Sequence, residues 1–406
     1  MKPPTFLRAA LTLLGAAALA ACAAQPLNPR AAPPAGPALT VIPTNALTTI
    51  DAGQTHSCGL TSAGQGWCWG RNAVGQLGDS TAASTTVPVA VFHPSGVTFT
   101  KVSAGAIHTC AITAAGQAYC WGANGDGRLG DSTTTLPLMT VAVKPLGAIA
   151  FASISAGNAH TCGLDGSGQA YCWGNNSYAQ IGDSTKTFAV TPVAVRHPAG
   201  VTFSAIAAGG MHTCALATTG LAYCWGYGGD GAVGNNSTLG SRIPVAVQQP
   251  AGVTFTSVAT EYNHSCGLTS GGQAYCWGYN YYGQLGDSTT VSPRKVPVAV
   301  VQPASVTFSQ LATGGSHTCG VTSGGQAYCW GRNTQGQFGD GTLTGALTPT
   351  AVSQPVGVTY GVVTAGSEQT CGLDGVGQAW CSGRNDYSQL GDGSTTRRTS
   401  PVAVSH

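Results

Sequence analysis

The residues most able to do chemistry in this chain come in one repeated pattern. It reads HSCGLTSGGQAYCWG over residues 264–278 and recurs from His56, His108, His160, His212 and His317, with Gln369 taking the histidine's place in the last copy. A histidine two residues before a cysteine, with a second cysteine downstream, could hold a metal, leave buried thiols, or be a stapled hairpin. Zinc sites favour cysteines two to four residues apart, whereas nine residues separate each pair here. The pairs are Cys58 with Cys68, Cys110 with Cys120, Cys162 with Cys172, Cys214 with Cys224, Cys266 with Cys276, Cys319 with Cys329 and Cys371 with Cys381. Folding the first pair about the turn at Ser62-Ala63-Gly64 sets Cys58 directly opposite Cys68. Opposed residues of antiparallel strands have Cα atoms ~4.5–5.5 Å apart, within disulfide reach. An export signal at the N-terminus favours disulfides over free thiols. No metal or cofactor is expected.

The elements that must position these residues follow from the spacing. The first cysteine of each copy recurs every 52 residues, with a single step of 53. A period of this size marks a propeller or solenoid. In the second unit, residues 97–104 alternate as strand A, residues 108–113 form strand B, Ala114-Ala115-Gly116 closes a hairpin, and residues 117–122 form strand C. A polar loop over residues 123–137 leads to a short strand D at residues 140–143. Four short antiparallel strands make a blade, so the expected fold is an all-β, seven-bladed propeller over residues 39–406. Either Leu39–Val41 or Pro401–Val404 is expected to complete the closing blade.

Only 7% of the residues are charged and the net charge is +2. Nucleic-acid binding shows as a basic face, and none is written here. Residues 1–22 read as a signal peptide: Lys2 and Arg8 precede the apolar run Ala9–Ala21, which is too short to span a bilayer. That run ends in Leu19-Ala20-Ala21-Cys22, which resembles a bacterial lipobox and implies cleavage before Cys22 with acylation of that residue. Residues 23–38, with five prolines, read as a semi-extended tether. The expected location is therefore a lipid-anchored position in the cell envelope, with Cys22 as the contact to the membrane.

The repeat also resembles the regulator of chromosome condensation repeat, through Gly105, His108-Thr109, Tyr119, Trp121-Gly122 and Leu129-Gly130 in the second unit. The resemblance covers nearly the whole chain after the leader and implies a seven-bladed propeller. Kelch repeats fit less well, since their double glycine stands in the right hairpin only at Gly271-Gly272 and Gly324-Gly325. The family's founding activity, guanine nucleotide exchange, needs a wedge-like insertion in one blade. Here no repeat differs from another in length by more than one residue. Photoreceptor members cluster tryptophans at the Gly-x-x-His turn, where this chain has Gln54-Thr55, Ala106-Ile107, Asn158-Ala159 and Gly210-Met211. A secreted propeller-type β-lactamase inhibitor, which binds through loops on one face, is the nearest functional analogue.

No catalytic constellation is present. The repeated histidines, the Gly-Asp points at Asp79, Asp131, Asp183, Asp287, Asp340 and Asp392, and the tryptophans from Trp69 to Trp330 are expected to be scaffold: cross-blade bonds, Asx-type turns and interblade packing. Binding information lies where the copies differ, in the A–B and C–D loops of one face. There stand Tyr178, Tyr227, Asp230, Tyr262, Asn263, Tyr279, Tyr281, Tyr282 and Tyr387, both glutamates of the chain (Glu261 and Glu368), and Arg71, Arg128, Arg332 and Arg384. Interface hot spots favour Tyr and Arg. Blade 5 alone carries Glu261 where the others have Gly53, Gly105, Gly157, Gly209, Gly314 and Gly366. If those glycines adopt positive φ, Glu261 is strained, with Tyr262, Tyr279, Tyr281 and Tyr282 around it. The expected function is non-enzymatic binding of a protein or glycan by this face, with inhibition of a secreted enzyme as the alternative and nucleotide exchange as a remote one.

Overall fold

A computed structural model describes residues 46–405. The leader, the tether, Cys22 and Leu39–Val41 lie outside the described residues. Seven four-stranded antiparallel sheets follow one another along the chain, each built from four consecutive strands. The inner A strands, from Leu47–Ala52 in blade 1 to Tyr360–Ala365 in blade 7, stand side by side around a central channel. Arg398–Ala403, from the C-terminal end, supplies the outer strand of blade 7 beside Ala379–Gly383. Among the described residues no strand is exchanged between the ends, and each sheet is built from four consecutive strands.

Strands B and C form the hairpin read from the sequence, and in every blade the two cysteines are register partners. Cys58 faces Cys68, Cys110 faces Cys120, Cys162 faces Cys172 and Cys214 faces Cys224. Cys266 faces Cys276, Cys319 faces Cys329 and Cys371 faces Cys381 in the remaining three. All seven pairs are disulfides, and all fourteen sulfurs belong to fully buried residues. Their Cα atoms stand 4.1 Å apart. That is closer than the ~4.5–5.5 Å expected of opposed residues, and it lies on the side of the non-hydrogen-bonded pairs, whose side chains approach most closely. Closing so short a loop contributes about 2–3 kcal/mol each. The Gly-Asp points make the expected Asx turns: Asp79 Oδ1 accepts the Thr81 N–H at 3.0 Å and the Asn72 amide at 2.9 Å. Equivalent bonds hold the C–D loops of six blades in shape.

The core lies between blades. Trp121 is fully buried against Leu60, Leu77 and Phe99 in the seam between blades 1 and 2. Its indole also covers Gly78, where an added Cβ would come within 2.8 Å of the ring. Trp69 closes the ring in the same manner against Leu390 of blade 7. Blade 7 carries Ser382 at the tryptophan position, and the seam it shares with blade 6 holds Phe338 where Leu77 stands in blade 1. The larger ring replaces volume that the serine gives up, as close packing demands.

A second set of contacts runs through these seams. His56 Nε2 meets Thr109 Oγ1 at 2.8 Å, and His108, His160, His212, His264 and His317 meet Thr161, Thr213, Ser265, Thr318 and Thr370 at 2.7–2.9 Å. Gln369 closes the series by donating to the Gly53 carbonyl at 2.7 Å. Burial drives His56, His160, His264 and His317 down to about 3, His212 to about 4, and His108 well below its ordinary value. The folded ring therefore excludes protons that the unfolded chain binds near pH 6.5. The stability these histidines contribute is complete above that pH and is lost as pH falls toward their folded values. Each adds about 1.4 kcal/mol per pH unit to the slope in that window. His108→Gln, which copies blade 7, should flatten the slope of unfolding free energy between pH 6 and 4.5 by that amount in denaturant titrations. An unchanged slope would contradict the neutral, buried state.

Candidate functional site

In every blade the A–B turn and the start of the C–D loop are tied together, which places both at one end of the ring. The Arg71 N–H donates to the Thr55 carbonyl at 2.9 Å, and equivalent bonds join Tyr279 to Asn263 at 3.0 Å and Arg384 to Glu368 at 2.9 Å. The variable segments thus form one continuous face around the channel mouth.

The glycines before these turns do not adopt positive φ, so the condition for strain at Glu261 is not met. They are small for another reason. A Cβ on Gly53, Gly105, Gly157, Gly314 or Gly366 would strike the carbonyl oxygen of the next blade's equivalent glycine and the ring or amide of its own His or Gln. Blade 5 escapes this by turning its chain differently. The Gly210 N–H bonds the Tyr262 carbonyl at 3.2 Å instead of residue 261, and Tyr262 itself carries the positive φ of 41°. The backbone strain expected at Glu261 therefore falls on Tyr262, an uncommon conformation for a non-glycine residue.

Glu261 lines the channel, a space of about 250 Å³ walled by the A strands, and Asp51 of blade 1 lines it too. Although each carboxylate keeps some surface toward the channel, both lie deep in the ring. Burial first, then the charge of Asp51, lifts Glu261 to about 8. Asp51 is also raised by burial, against the opposing bonds it accepts from the Ala104 N–H at 2.8 Å and Thr364 Oγ1 at 2.9 Å. Over the mouth, the Gln54 amide donates to Asn158 Oδ1 at 3.1 Å and to the Tyr262 hydroxyl at 3.2 Å. Blades 1, 3 and 5 are thereby joined across the channel. Sequence reading missed Gln54 and Asn158, whose only signal was that they vary where other blades carry Ala, Gly or Ser.

Tyr279, Tyr281 and Tyr282 do not surround Glu261, and none of them lines the channel. Tyr279 instead packs tilted against both of the others, 5.2 Å from Tyr281 and 6.4 Å from Tyr282, and Tyr282 lies under the Arg332 guanidinium at 5.4 Å. Arg332 and Arg384 share Glu368 at 3.2 and 2.8 Å, and Arg384 also pairs with Asp386 at 2.9 Å. Tyr387 then receives Arg384 at 5.6 Å and Arg71 at 4.9 Å. One belt of alternating aromatic and charged groups so runs across blades 5, 6, 7 and 1. Its exposed pairs add little stability, about 0–1 kcal/mol each. On the other flank, Asn263 donates to Asp230 at 2.8 Å, and Tyr178 meets Tyr227 edge to face at 5.4 Å. Arg128 leaves the surface altogether. It is buried, paired with Asp126, and donates to the Asn158 carbonyl at 2.9 Å.

The profile described as RCC1-like domain matches residues 94–406, and regulator of chromosome condensation (RCC1) repeat profiles match residues 63–112 and 47–76. The chain belongs to the RCC1-like family. Among its relatives, the ultraviolet-B receptor UVR8 of Arabidopsis thaliana is 29% identical over 356 residues, covering 87% of this chain and 81% of the relative. Human WBSCR16 has a similar fold, with a TM-score of 0.76 at 20% identity over 84% of this chain and 94% of that one. Prp20p of Saccharomyces cerevisiae, described for its binding to Gsp1p and histones, gives a TM-score of 0.75 at 20% identity over 89% and 88%. Among the described residues, no group of three His, Cys, Asp or Glu side chains could hold a metal ion, and no helix is long and apolar enough to cross a membrane. Seven disulfides suit an oxidising, extracellular setting.

Glu261 gives a titration test of the channel. Its proton is held to about pH 8 in the fold against an ordinary value of 4.5. It therefore favours the folded state fully below pH 4.5 and loses that contribution as pH climbs through 8. Glu261→Gln should leave the melting temperature at pH 4 nearly unchanged and raise it at pH 9. An equal shift at both pH values would contradict the buried carboxyl.

Proposed function

We propose that this RCC1-like ring is a non-enzymatic, exported binding protein that takes a protein or glycan on its A–B/C–D face, tethered to a membrane through a lipid on Cys22. The belt from Tyr279 through Arg332, Glu368 and Arg384 to Tyr387 and Arg71 carries the proposal. Tyr and Arg dominate interface hot spots because they offer large, stiff contact area with directed polar ends. Here Arg332 and Arg384 are already oriented by Glu368, so less side-chain freedom is lost on binding. Tyr262, strained and hydrogen-bonded over the channel mouth, belongs to the same face. Solved relatives such as Prp20p, which binds Gsp1p and histones, support protein recognition as a use of this scaffold.

Inhibition of a secreted enzyme is the second reading. Tyr281 supports it, because the residue is 66% exposed, more than Tyr282 beside it, and so offers an aromatic side chain to a cleft. Affinity capture from an envelope extract separates these readings from a purely structural role. The wild type should retain a partner that the Tyr279/Tyr281/Tyr282→Ala variant loses, while Val376→Ser, on a B–C hairpin at the opposite end, keeps it. Retention of every partner by the triple variant would overturn the assignment of this face.

A further inference from the structure

Blade 4 departs from the repeat in one place, and that departure opens a cleft. In the other six blades a buried Asn in the C–D loop clasps the Asp of the Gly-Asp point, as Asn176 clasps Asp183 at 3.3 Å and Asn280 clasps Asp287 at 3.1 Å. In blade 4 the two positions are Gly228 and Asn235, and the clasp is gone. Asn235 Oδ1 is buried there with no partner. The loop takes another path that depends on glycine. A Cβ on Gly228 would strike the Leu239 carbonyl, one on Gly229 would strike the Tyr227 hydroxyl, and one on Gly240 would strike the Gly226 carbonyl.

The result is a cleft of about 360 Å³ between blades 3 and 4, within the range of small-molecule sites. Its walls combine three kinds of group. Tyr178 and Tyr227 meet edge to face at 77°, offering ring surface from two directions. Lys186 and Arg242 stand at the rim, exposed, and neither forms an ion pair among the described residues. The bond from the Ser184 N–H to the Arg242 carbonyl, 3.0 Å, draws their two segments together. The glycine-lined floor leaves peptide groups uncovered by side chains, beside the hydroxyls of Thr238 and Ser241. No carboxylate lines the space.

We propose that this cleft binds an acidic saccharide, a sugar unit carrying a carboxylate. Tyrosine faces would cover the apolar C–H side of the ring, backbone groups and hydroxyls would pair with its hydroxyls, and Lys186 and Arg242 would take the carboxylate. A nucleotide fits less well, since two rings at 77° cannot sandwich a flat base. The proposal deepens the loop-face reading and rests on it, but uses a different part of that face from the blade 5–7 belt.

The test is a glycan array of uronic-acid oligosaccharides and neutral counterparts, followed by calorimetry of the best-retained saccharide and of AMP with the full disulfide-bonded chain. Acidic saccharides should be retained over neutral ones. The double change Lys186→Ser with Arg242→Ser should weaken binding at least tenfold with an unchanged melting temperature, and Tyr227→Ala should do the same. The Tyr279/Tyr281/Tyr282→Ala variant should bind the saccharide as the wild type does, so loss of a protein partner and loss of the sugar are read apart. An array without acidic hits, equal retention of neutral sugars, tighter binding of AMP, or an unaltered affinity in the double variant would overturn the proposal.

Discussion

Six of the seven seams are crossed by a buried histidine whose Nε2 meets a hydroxyl of the next blade, and in four of them the histidine is the donor. The direction of the bond follows from its neighbours. Thr109 Oγ1 gives its own proton to the Gln76 carbonyl at 3.1 Å, so it can only accept from His56. Thr161, Thr213 and Thr318 do the same toward Arg128, Gln180 and Gln284 at 2.8 Å. Leaving such a buried group unpaired costs about 1–3 kcal/mol. The pairing therefore sets how one blade must sit on its neighbour, and the disulfides keep each B–C hairpin in the register that presents the histidine. The C–D loop supplies the carbonyl, so it too is locked to the seam.

That coupling explains the division of labour around the ring. Residues that serve the seam repeat, because each interface must satisfy the same donors and fill the same volume. Where one member changes, a partner changes with it: Gln369 reaches the Gly53 carbonyl in place of a histidine, and Phe338 accompanies Ser382. Residues beyond the seam are free to differ, and the differences gather at one end. The tyrosine and arginine belt, the bridge of Gln54, Asn158 and Tyr262, and the open cleft of blade 4 all stand on this repeated, disulfide-bonded scaffold.

Much of the ring was legible in the sequence because its determinants are local. The hairpins and the cysteine pairs depend on residues within a dozen positions of one another, and the 52-residue period shows on comparing one copy with the next. What was not legible depends on neighbours in other blades. The small residue before each A–B turn answers to a carbonyl of the next blade, not to its own φ. Arg128 looks like a surface cation in sequence, yet it occupies the place of Gln76 and Gln180 and is buried with Asp126. Gln54 and Tyr262 are 208 residues apart and meet only because the ring closes. Variability singled out the residues that differ between copies, but not their grouping: Glu261 lines the channel, and Tyr279, Tyr281 and Tyr282 belong to the belt.

The central claim is that the repeated histidines are neutral structural donors and take no part in proton or metal chemistry. Nitrogen-15 NMR of histidine-labelled protein tests it most directly, because the two ring nitrogens report charge and tautomer separately. At pH 5.5 all six seam histidines should be uncharged, with His56, His108, His160 and His264 in the Nε2–H form. A charged imidazolium, or an Nδ1–H tautomer at any of those four, would contradict the account.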